Sequence, residues 1–299
     1  MAPLIHAAAQ IAQAHPTNLA AWQRLPLAEV PLVFLDVETT GLNAAGGHRI
    51  CELAMLREWH GTLHAAFETL LNPERDSEAA ALAVHGLAPD QLAYAPLFAD
   101  VAAQVLDLLS DAVLVAHNAP FDVSFLNHEL LRIGHTPPIL PVLDTLVLSR
   151  RLLRLPAYNL TALAATLGLH RPSHRAMADA LTLRGLFAHL VERLAEDEQI
   201  TCIGDILRFQ RGLRPADPEP SAPPLIAQAL QEQRRLRIIY RSRSTPEPIE
   251  REILPLELIH EGHGQNLRAY CFYRGDIRVF AIKKIEEMWL VPDQEQPPS

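Results

Sequence analysis

Apolar and polar positions along the first two thirds of the chain follow the periods of strands and helices. Residues 31–37 are apolar except for one aspartate and end at a Thr-Thr-Gly turn, which predicts a buried strand. Residues 50–59 and 62–71 predict two more strands, joined in a hairpin around His60-Gly61. The other predicted elements of this part are short strands at 112–116 and 142–144 and helices at 3–15, 98–109, 120–133, 145–153, 160–167 and 175–195. This order predicts an α/β layer fold with a mixed sheet.

A proline-rich segment separates this part from the rest of the chain. Residues 214–224 read RPADPEPSAPP, in which five of eleven residues are proline and none is a large apolar residue. Such a composition is typical of a stiff, exposed linker. We therefore predict a helical extension at 1–30, an α/β domain at 31–213, the linker, and a second domain at 225–299.

Short strand-like runs dominate the second domain. A helix is predicted at 225–235, and strands follow at 237–240, 249–260, 266–273 and 277–282. Turns that contain glycine separate several of these runs. Short strands between such turns are typical of small all-β folds, so we predict a small β-barrel.

The charge of the chain is acidic and unevenly distributed. Lys and Arg number 26 against 35 Asp and Glu, which gives a formal net charge of −9. Residues 225–299 hold 11 basic and 11 acidic residues, so the whole excess of acid lies before Leu225. A protein that binds nucleic acid by charge alone is usually basic. This chain would therefore need metal ions or local arginines to face the phosphates.

Cysteine use and hydropathy predict a cytoplasmic protein. Cys51, Cys202 and Cys271 are far apart and form no CxxC pair, which favours reduced thiols over disulfides or zinc ligands. The N-terminus lacks the basic stretch of a signal peptide. No window of about 18 uncharged apolar residues occurs, so no membrane span is expected. With 49% hydrophobic residues, the chain can form a sizeable core.

Two carboxylates lie at the end of the first predicted strand. Asp36 and Glu38 are two residues apart, so both side chains point to the same face of the strand. Two acids on one side of a buried strand end repel each other unless a cation neutralises them, which favours a metal site. A solvated strand end is the alternative interpretation of this pair on its own.

A third carboxylate, Asp122, follows the predicted strand at 112–116. A carboxylate in a first helical turn is favoured by the helix dipole, so Asp122 alone indicates a helix start more than a ligand. The preceding His117-Asn118 places polar groups at a strand end beside a helix start, and that arrangement suits a binding crevice.

A histidine and a fourth carboxylate accompany the long helix predicted at 175–195. Asp179 lies in its first turns among small alanines, which allow another element to approach closely. His174 directly precedes the helix and can exchange protons near neutral pH. Taken alone, a histidine before a helix is usually structural or merely exposed. Together the segments supply four carboxylates and one candidate base, which suit phosphodiester hydrolysis with two divalent cations.

These segments resemble the three motifs of the DEDDh (DnaQ-like) 3′–5′ exonucleases, a family that includes the proofreading subunit of bacterial DNA polymerase III. DVETTG resembles the first motif, HNAPFDVSFL the second and HRAMADA the third. The similarity extends over residues 32–194 and includes the segment AVHGLAPDQL. Acids, spacing and flanking residues all agree with the family pattern.

The resemblance implies a ribonuclease H-like fold and a two-metal mechanism. The implied ligands of two Mg²⁺ or Mn²⁺ ions are Asp36, Glu38, Asp122 and Asp179. His174 is implied as the general base, and a nucleoside 5′-monophosphate as the product. Thr39, Gly41 and Leu42 match the family segment that approaches the terminal nucleotide. His85, Asn118 and Phe125 are further candidates for the lining of the substrate pocket.

The second domain resembles the WYL domain, a small SH3-like β-barrel of bacterial regulators. The matching residues are Tyr240, Arg251, Pro255 and the run NLRAYCFYRGDIRVFAIKKI, although NLRAY stands in place of the Trp-Tyr-Leu triad. WYL domains are implicated in binding nucleic acids and nucleotides. The residues expected to make such contacts are Arg237, Tyr240, Arg241 and Arg251, with positive charge added by Arg234, Arg235 and Arg243. A solvated strand edge is the alternative interpretation.

Three functions fit these observations. The first is a metal-dependent exonuclease of single-stranded nucleic acid, with DNA favoured over RNA, whose tethered second domain grips or selects substrate. The second is a polymerase proofreading subunit with replication or repair proteins as partners, although no helical docking segment is evident after the linker. The third is a nucleic-acid-binding regulator that kept a nuclease fold, against which four costly clustered carboxylates argue. The sequence leaves the sugar preference and the oligomeric state open.

Overall fold

The computed structural model describes residues 24–138, 140–218, 222–241, 247–261, 264–274 and 276–292. These residues fall into two compact units, with the boundary between Gln210 and Arg211. The predicted helix at 3–15 lies outside the described residues, and the predicted limits of the linker and of the N-terminal extension stay predictions. Within the described ranges, no helix is both long enough and apolar enough to cross a lipid bilayer.

A five-stranded mixed sheet forms the centre of the first unit. Its strands are β1 (Leu32–Thr39), β2 (Ile50–Trp59), β3 (Thr62–Leu70), β4 (Val113–Ala116) and β5 (Val142–Asp144). The strand order is β3-β2-β1-β4-β5. The ladders β3–β2 and β2–β1 are antiparallel, whereas β1–β4 and β4–β5 are parallel. The prediction of an α/β fold with a mixed sheet is therefore confirmed.

Helices pack on both faces of this sheet. The described helices of the first unit are α1 (Ala79–His85), α2 (Pro89–Ala93), α3 (Phe98–Leu109), α4 (Pro120–Arg132), α5 (Thr145–Leu152), α6 (Leu160–Leu167), α7 (Ala176–Glu198) and α8 (Ile203–Gln210). The sequence pattern predicts five of them and misses α1, α2 and α8.

The side chains of β1 alternate between two hydrophobic cores. Leu35 points to one core, which it shares with residues of α3 and α4. Phe34 points to the other, where its ring lies 5.7 Å from that of Phe187 on α7. Asp36 and Glu38 follow Phe34 at every second position, so the alternation places both acids on the α7 side of the sheet.

An antiparallel sheet and one helix form the second unit. Its elements are α9 (Pro224–Glu232), β6 (Leu236–Tyr240), β7 (Ile249–Glu261), β8 (Gly264–Cys271), β9 (Asp276–Ala281) and β10 (Ile285–Leu290). Ile226 and Ala229 of α9 are buried against apolar residues of the sheet, including Leu236 and Leu267. The sequence pattern does not predict β10.

The described ladders of the second unit form an open sheet, and the predicted small SH3-like β-barrel is not confirmed. The order is β10-β6-β7-β8-β9, and among the described residues no ladder joins the two edge strands β9 and β10. A 3₁₀ turn at Ile282–Lys284 connects these strands and leads the chain to the β6 edge instead. A closed barrel has no edges, whereas this sheet leaves two.

Candidate active site

Two carboxylates lie at the end of β1, on the side that α7 covers. Glu38 is 9% exposed, and Asp36 is partly buried. Their positions follow from the ladder with β2, in which Asp36 faces Ala54 and Glu38 faces Glu52. Like charges repel strongly where little water screens them, so each of these two carboxyls disfavours the ionised form of the other.

The third acid, Asp122, lies in the first turn of α4 and is 5% exposed. This helix begins at Pro120, where proline is tolerated because the first helical N–H has no partner inside the helix. The backbone N–H of Val37 stabilises the ionised form of the Asp122 carboxyl. Asp122 therefore meets the end of β1 from the side opposite to α7.

The fourth acid and the histidine flank the beginning of α7. Asp179 is 7% exposed, and its Oδ1 accepts a hydrogen bond from the backbone N–H of Ser173 at 2.8 Å. His174 lies between Ser173 and the helix, with an exposed side chain and a φ of 56°. A non-glycine residue in the left-handed region is uncommon, so the chain on both sides must hold this turn.

Burial raises the pKa values of the four acids of the site, and neighbouring carboxylates add to the shift for Asp36, Glu38 and Asp122. Burial raises the pKa of Asp36 well above its usual range, and the charges of Asp122 and Asp179 raise it further. Burial, followed by the charge of Asp179, raises the pKa of Glu38 to about 7. Burial also raises the pKa values of Asp122 and Asp179. A divalent cation stabilises such a cluster, because it binds the ionised carboxyls and competes with their protons.

Three of these side chains lie close enough to share one ion. Ligand atoms of Glu38, His174 and Asp179 all lie within 4.8 Å of one another. Carboxylate oxygens are the ligands that Mg²⁺ and Mn²⁺ prefer, and imidazole is accepted by many divalent metals. The donor set therefore fits a divalent cation, and Asp36 interacts electrostatically with Glu38, Asp122 and Asp179.

A fifth carboxylate, Glu52 of β2, belongs to the same site. Glu52 is 1% exposed, and its Oε1 accepts hydrogen bonds from Arg175 Nη2 at 2.6 Å and Arg175 Nε at 3.0 Å. Its Oε2 accepts the backbone N–H of Ala176 at 2.9 Å. The charge of Glu52 raises the pKa values of Asp36 and Glu38, and Arg175 lowers that of Glu38. Sequence reasoning missed Glu52, although one acid in the otherwise apolar run ICELAM was an available signal.

Thr39, Gly41 and Leu42, which are predicted to contact the terminal nucleotide, lie at the end of β1 and in the turn that follows it, next to the acids. Thr39 Oγ1 donates a hydrogen bond to the carbonyl of Gly41 at 2.8 Å. The His48 ring packs so closely on Gly41 that a Cβ there would lie 2.4 Å from ring atoms. Leu42 is 84% exposed at the tip of the turn. Contact of Thr39, Gly41 and Leu42 with a nucleotide stays a prediction.

Asn118 lies in the loop between β4 and α4, as the predicted crevice requires. Its φ is 64°, and its backbone N–H donates to Asp144 Oδ1 at 3.0 Å. The neighbouring His117 ring makes hydrogen bonds of 2.9 Å with the Thr145 hydroxyl and with the Tyr158 carbonyl. This network fixes the loop that leads into the first turn of α4.

The other two predicted pocket residues are buried. His85 is 6% exposed at the end of α1, with its Nε2 at 3.9 Å from the Sγ of Cys51, and burial lowers the pKa of its imidazole. Phe125 is 1% exposed in the core beneath α4, with its ring 4.9 Å from that of Phe121. Both side chains lie behind the surface of the site, and their contact with substrate stays a prediction.

Two of the arginines predicted to bind nucleic acid in the second unit pair with acids of that unit. Arg237 Nε lies 3.4 Å from Glu252 Oε2, and Arg241 Nε lies 2.6 Å from Glu286 Oε1. Side-chain contacts of this kind are typical of a solvated sheet surface as well as of a binding face. Their predicted role stays a prediction.

The other two predicted residues contact aromatic rings. The Tyr240 hydroxyl accepts the backbone N–H of Ala281 at 3.3 Å, and its ring lies 5.0 Å from that of Phe280. Arg251 is 7% exposed, and its guanidinium lies 5.1 Å from the centre of the Tyr273 ring. Arg251 therefore supports an exposed aromatic side chain, since Tyr273 is 63% exposed.

Each of the two units matches a known protein family. Residues 33–187 match the family model described as exonuclease, and residues 223–289 match the WYL domain. DNA polymerase III subunit epsilon of Rickettsia conorii is 36% identical over 167 residues, which cover 53% of this chain and 73% of that protein. A DNA polymerase III subunit epsilon-like protein of Rhodobacter capsulatus is 38% identical over 188 residues, which cover 61% of this chain and 26% of that protein.

Among solved structures, the zinc-bound form of the E. coli ExoI–single-stranded DNA complex is similar in fold. The TM-score is 0.53 at 16% identity, over 80% of this chain and 54% of that one. Sequence identity this low shows the fold alone. The likeness agrees with the ribonuclease H-like arrangement of the mixed sheet and its flanking helices.

Proposed function

The chain belongs to the exonuclease family, and from that premise we propose that it is a divalent-metal-dependent 3′–5′ exonuclease of single-stranded nucleic acid. One observation carries the proposal: β1, α4 and the start of α7 bring four buried or partly buried carboxyls together, and their pKa values are raised. Membership of the family favours an enzyme over a regulator without activity.

The proposed metal ligands are the four acids of the motifs: Asp36, Glu38, Asp122 and Asp179. When bound, two Mg²⁺ or Mn²⁺ ions would neutralise these carboxylates, acidify the attacking water and stabilise the charge of the leaving 3′-oxygen. The raised pKa of Glu38, about 7, means that this carboxyl is ready to exchange its proton for a cation near neutral pH.

His174 is the proposed general base. Its exposed imidazole lies beside Glu38 and Asp179, within 4.8 Å of their carboxylate oxygens. It takes the proton of the water whose oxygen forms the new bond to phosphorus, while the bond from phosphorus to the 3′-oxygen breaks. The products are a nucleoside 5′-monophosphate and a strand shorter by one nucleotide with a free 3′-hydroxyl.

We propose DNA rather than RNA as the substrate, because the relatives at 36–38% identity are named as a DNA polymerase III subunit and a protein like it. The second unit is proposed to hold the nucleic acid or to regulate the nuclease, with Arg251 and Tyr273 as the contact pair. A cytoplasmic location completes the proposal, since all three cysteines are free thiols.

A proofreading role beside a polymerase is the second candidate, favoured by 36% identity to a DNA polymerase III subunit epsilon. Co-purification of the full chain with a replicative polymerase, at a stoichiometric ratio that survives gel filtration, would support it. An isolated, active exonuclease that binds no polymerase would support the first candidate instead.

Incubation of the purified chain with 5′-labelled single-stranded DNA and RNA oligonucleotides tests the main proposal. Mg²⁺, Mn²⁺ and EDTA are compared, beside the variant Asp179→Ala. A ladder that shortens from the 3′ end, and that disappears with EDTA and with the variant, is the expected result. Products that shorten from the 5′ end, or full activity of the variant, would contradict the proposal.

A further inference from the structure

Glu52 is a buried carboxylate next to the proposed active site, and both of its oxygens accept hydrogen bonds from the protein. Its side chain is 1% exposed. Oε1 accepts both Arg175 Nε and Nη2, and Oε2 accepts Arg175 Nε at 3.1 Å and the backbone N–H of Ala176 at 2.9 Å. Because both oxygens already accept hydrogen bonds from α7 and the residue before it, Glu52 is not placed as a metal ligand, unlike the four motif acids.

These bonds reach the two residues that directly follow His174. On the other side, the backbone N–H of Ser173 is held by Asp179 Oδ1 at 2.8 Å. The left-handed turn at His174, with its φ of 56°, therefore lies between two fixed points. Such a conformation is costly for a residue other than glycine, and it persists where the surrounding contacts determine it.

From this arrangement we propose that Glu52 is a positioning residue, which holds the His174 imidazole in place through Arg175 and the Ala176 N–H. The inference rests on the proposed function, in which His174 is the general base. Glu52 touches neither substrate nor the reacting atoms in this role. It sets the direction in which the imidazole leaves the turn, and a base displaced by about 1 Å loses much of its effect.

The test compares Glu52→Gln with Glu58→Gln on 5′-labelled single-stranded DNA at saturating Mn²⁺. Glu58 is a matched control, because it pairs with Arg184 and so joins the same strand, β2, to the same helix, α7, two turns further along. We expect Glu52→Gln to lower kcat about ten- to a hundredfold with KM within about threefold of the wild type. Glu58→Gln should stay within about twofold in both constants. Equal losses in the two variants would overturn the proposal.

A double-mutant cycle with His174→Ala separates positioning of the base from a general effect on the fold. If Glu52 acts through His174, Glu52→Gln should lower the residual rate of His174→Ala by less than about threefold. A full loss in both backgrounds would contradict the proposal. Arg175→Lys provides a second route should Glu52→Gln fold poorly: it keeps the charge but loses the forked hydrogen bonds, and it should also lower kcat without raising KM.

Two readouts do not depend on turnover. Binding of Mn²⁺, measured by calorimetry, should weaken much less in Glu52→Gln than in Asp179→Ala, and an equal loss of affinity in the two variants would overturn the inference, because Glu52 would then act on the metal rather than on His174. The NMR signals of the His174 ring should move in Glu52→Gln and not in Glu58→Gln. A wild-type protein that degrades no oligonucleotide would count against the proposed function, whereas unmoved ring signals would count against the positioning role.

Discussion

Glu129 accepts both arms of the Arg49 guanidinium, at 2.7 Å from Nε and 2.8 Å from Nη2. Glu129 lies in the last turns of α4, and Arg49 immediately precedes β2. The two side chains are 2% and 10% exposed. This ion pair therefore ties the helix that carries Asp122 to the strand that carries Glu52, on the opposite side of β1 from α7.

Removal of one partner of the Arg49–Glu129 ion pair should strongly destabilise the fold. Glu129→Ala leaves the Arg49 charge buried with the exposed Glu74 carboxylate and the Pro73 carbonyl as its remaining partners among the described residues, and we expect a loss of about 3–5 kcal/mol in the free energy of unfolding. Urea denaturation measures this change. Asp197→Ala is the control, because it breaks an exposed i,i+4 pair with Arg193 and should cost about 0.3–0.5 kcal/mol. Losses of similar size in both variants would show that burial of the pair is not what matters.

The acids of the site should make the metal-free protein less stable as the pH rises. Burial raises the pKa of Glu38 from its ordinary value of 4.5 to about 7, so the folded form binds the proton more tightly than the unfolded form does. The stability is then fully present below pH 4.5 and falls as the pH rises through 7. In EDTA, the melting temperature of the wild type should fall relative to that of Glu38→Gln across this range.

Added Mn²⁺ should reverse the trend, because a divalent cation binds only the ionised carboxyls. The rise in melting temperature on adding Mn²⁺ should therefore be larger at pH 8 than at pH 5. An equal rise at both pH values, or no difference between wild type and Glu38→Gln in EDTA, would show that Glu38 is not the group that titrates.

Removal of one motif acid should abolish activity and stabilise the metal-free fold. Asp36→Asn removes a charge from a site where burial and four other acids raise the pKa of the Asp36 carboxyl. We expect the rate to fall on the order of 1,000-fold or more. Above pH 7 in EDTA the variant should melt at a higher temperature than the wild type, because repulsion is relieved. Lost activity together with a lower melting temperature would indicate misfolding instead.

The turn after β1 allows a test of one steric contact, that between Gly41 and the His48 ring. In Gly41→Ala the new Cβ would meet the His48 ring at 2.4 Å, so the turn or the ring must move. Gly41 does not have a positive φ, and the three atoms nearest to the new Cβ all belong to the His48 ring. Displacement of the turn should therefore raise KM for an oligonucleotide in Gly41→Ala. The double variant Gly41→Ala, His48→Ala should recover a KM close to that of His48→Ala alone. If the double variant stays as impaired as Gly41→Ala, the contact with His48 is not the cause.

The pattern of apolar, polar and turn residues along the chain predicts those parts of the fold in which the contacting residues are close in sequence. The shared face of Asp36 and Glu38 follows from the period of a strand, and the hairpin between β2 and β3 follows from its His-Gly turn. Glu52 was missed because its partners lie 123 and 124 residues away, where no local rule reaches. Whether β9 and β10 close a barrel also depends on two strand edges meeting in space, so short strands and glycine turns do not decide it.

The same limit applies to buried side chains and to short amphipathic elements. The family resemblance names Phe125 as a pocket candidate, and no local pattern shows that its ring packs in the core against Phe121. Helix α8 was missed although Ile203, Ile206 and Phe209 recur at helical spacing and are buried. Its eight residues are too few for the pattern to stand out from the surrounding chain.

The second unit makes a separate prediction about single-stranded DNA. Tyr273 is 63% exposed, and the Arg251 and Arg274 guanidinium groups lie 5.1 and 5.5 Å from its ring centre. An exposed tyrosine ring beside arginine side chains suits the stacking of a base, and the exposed Arg274 can face a phosphate. Tyr273→Ala should therefore weaken binding of a fluorescent single-stranded oligonucleotide about five- to a hundredfold, measured by anisotropy in EDTA so that no cleavage occurs.

Tyr94, which is 93% exposed in the first unit, supplies the control Tyr94→Ala, for which little change is expected. An affinity that is insensitive to Tyr273→Ala and to Arg251→Ala would leave DNA binding to the nuclease unit, and the second unit would then need a ligand of another kind.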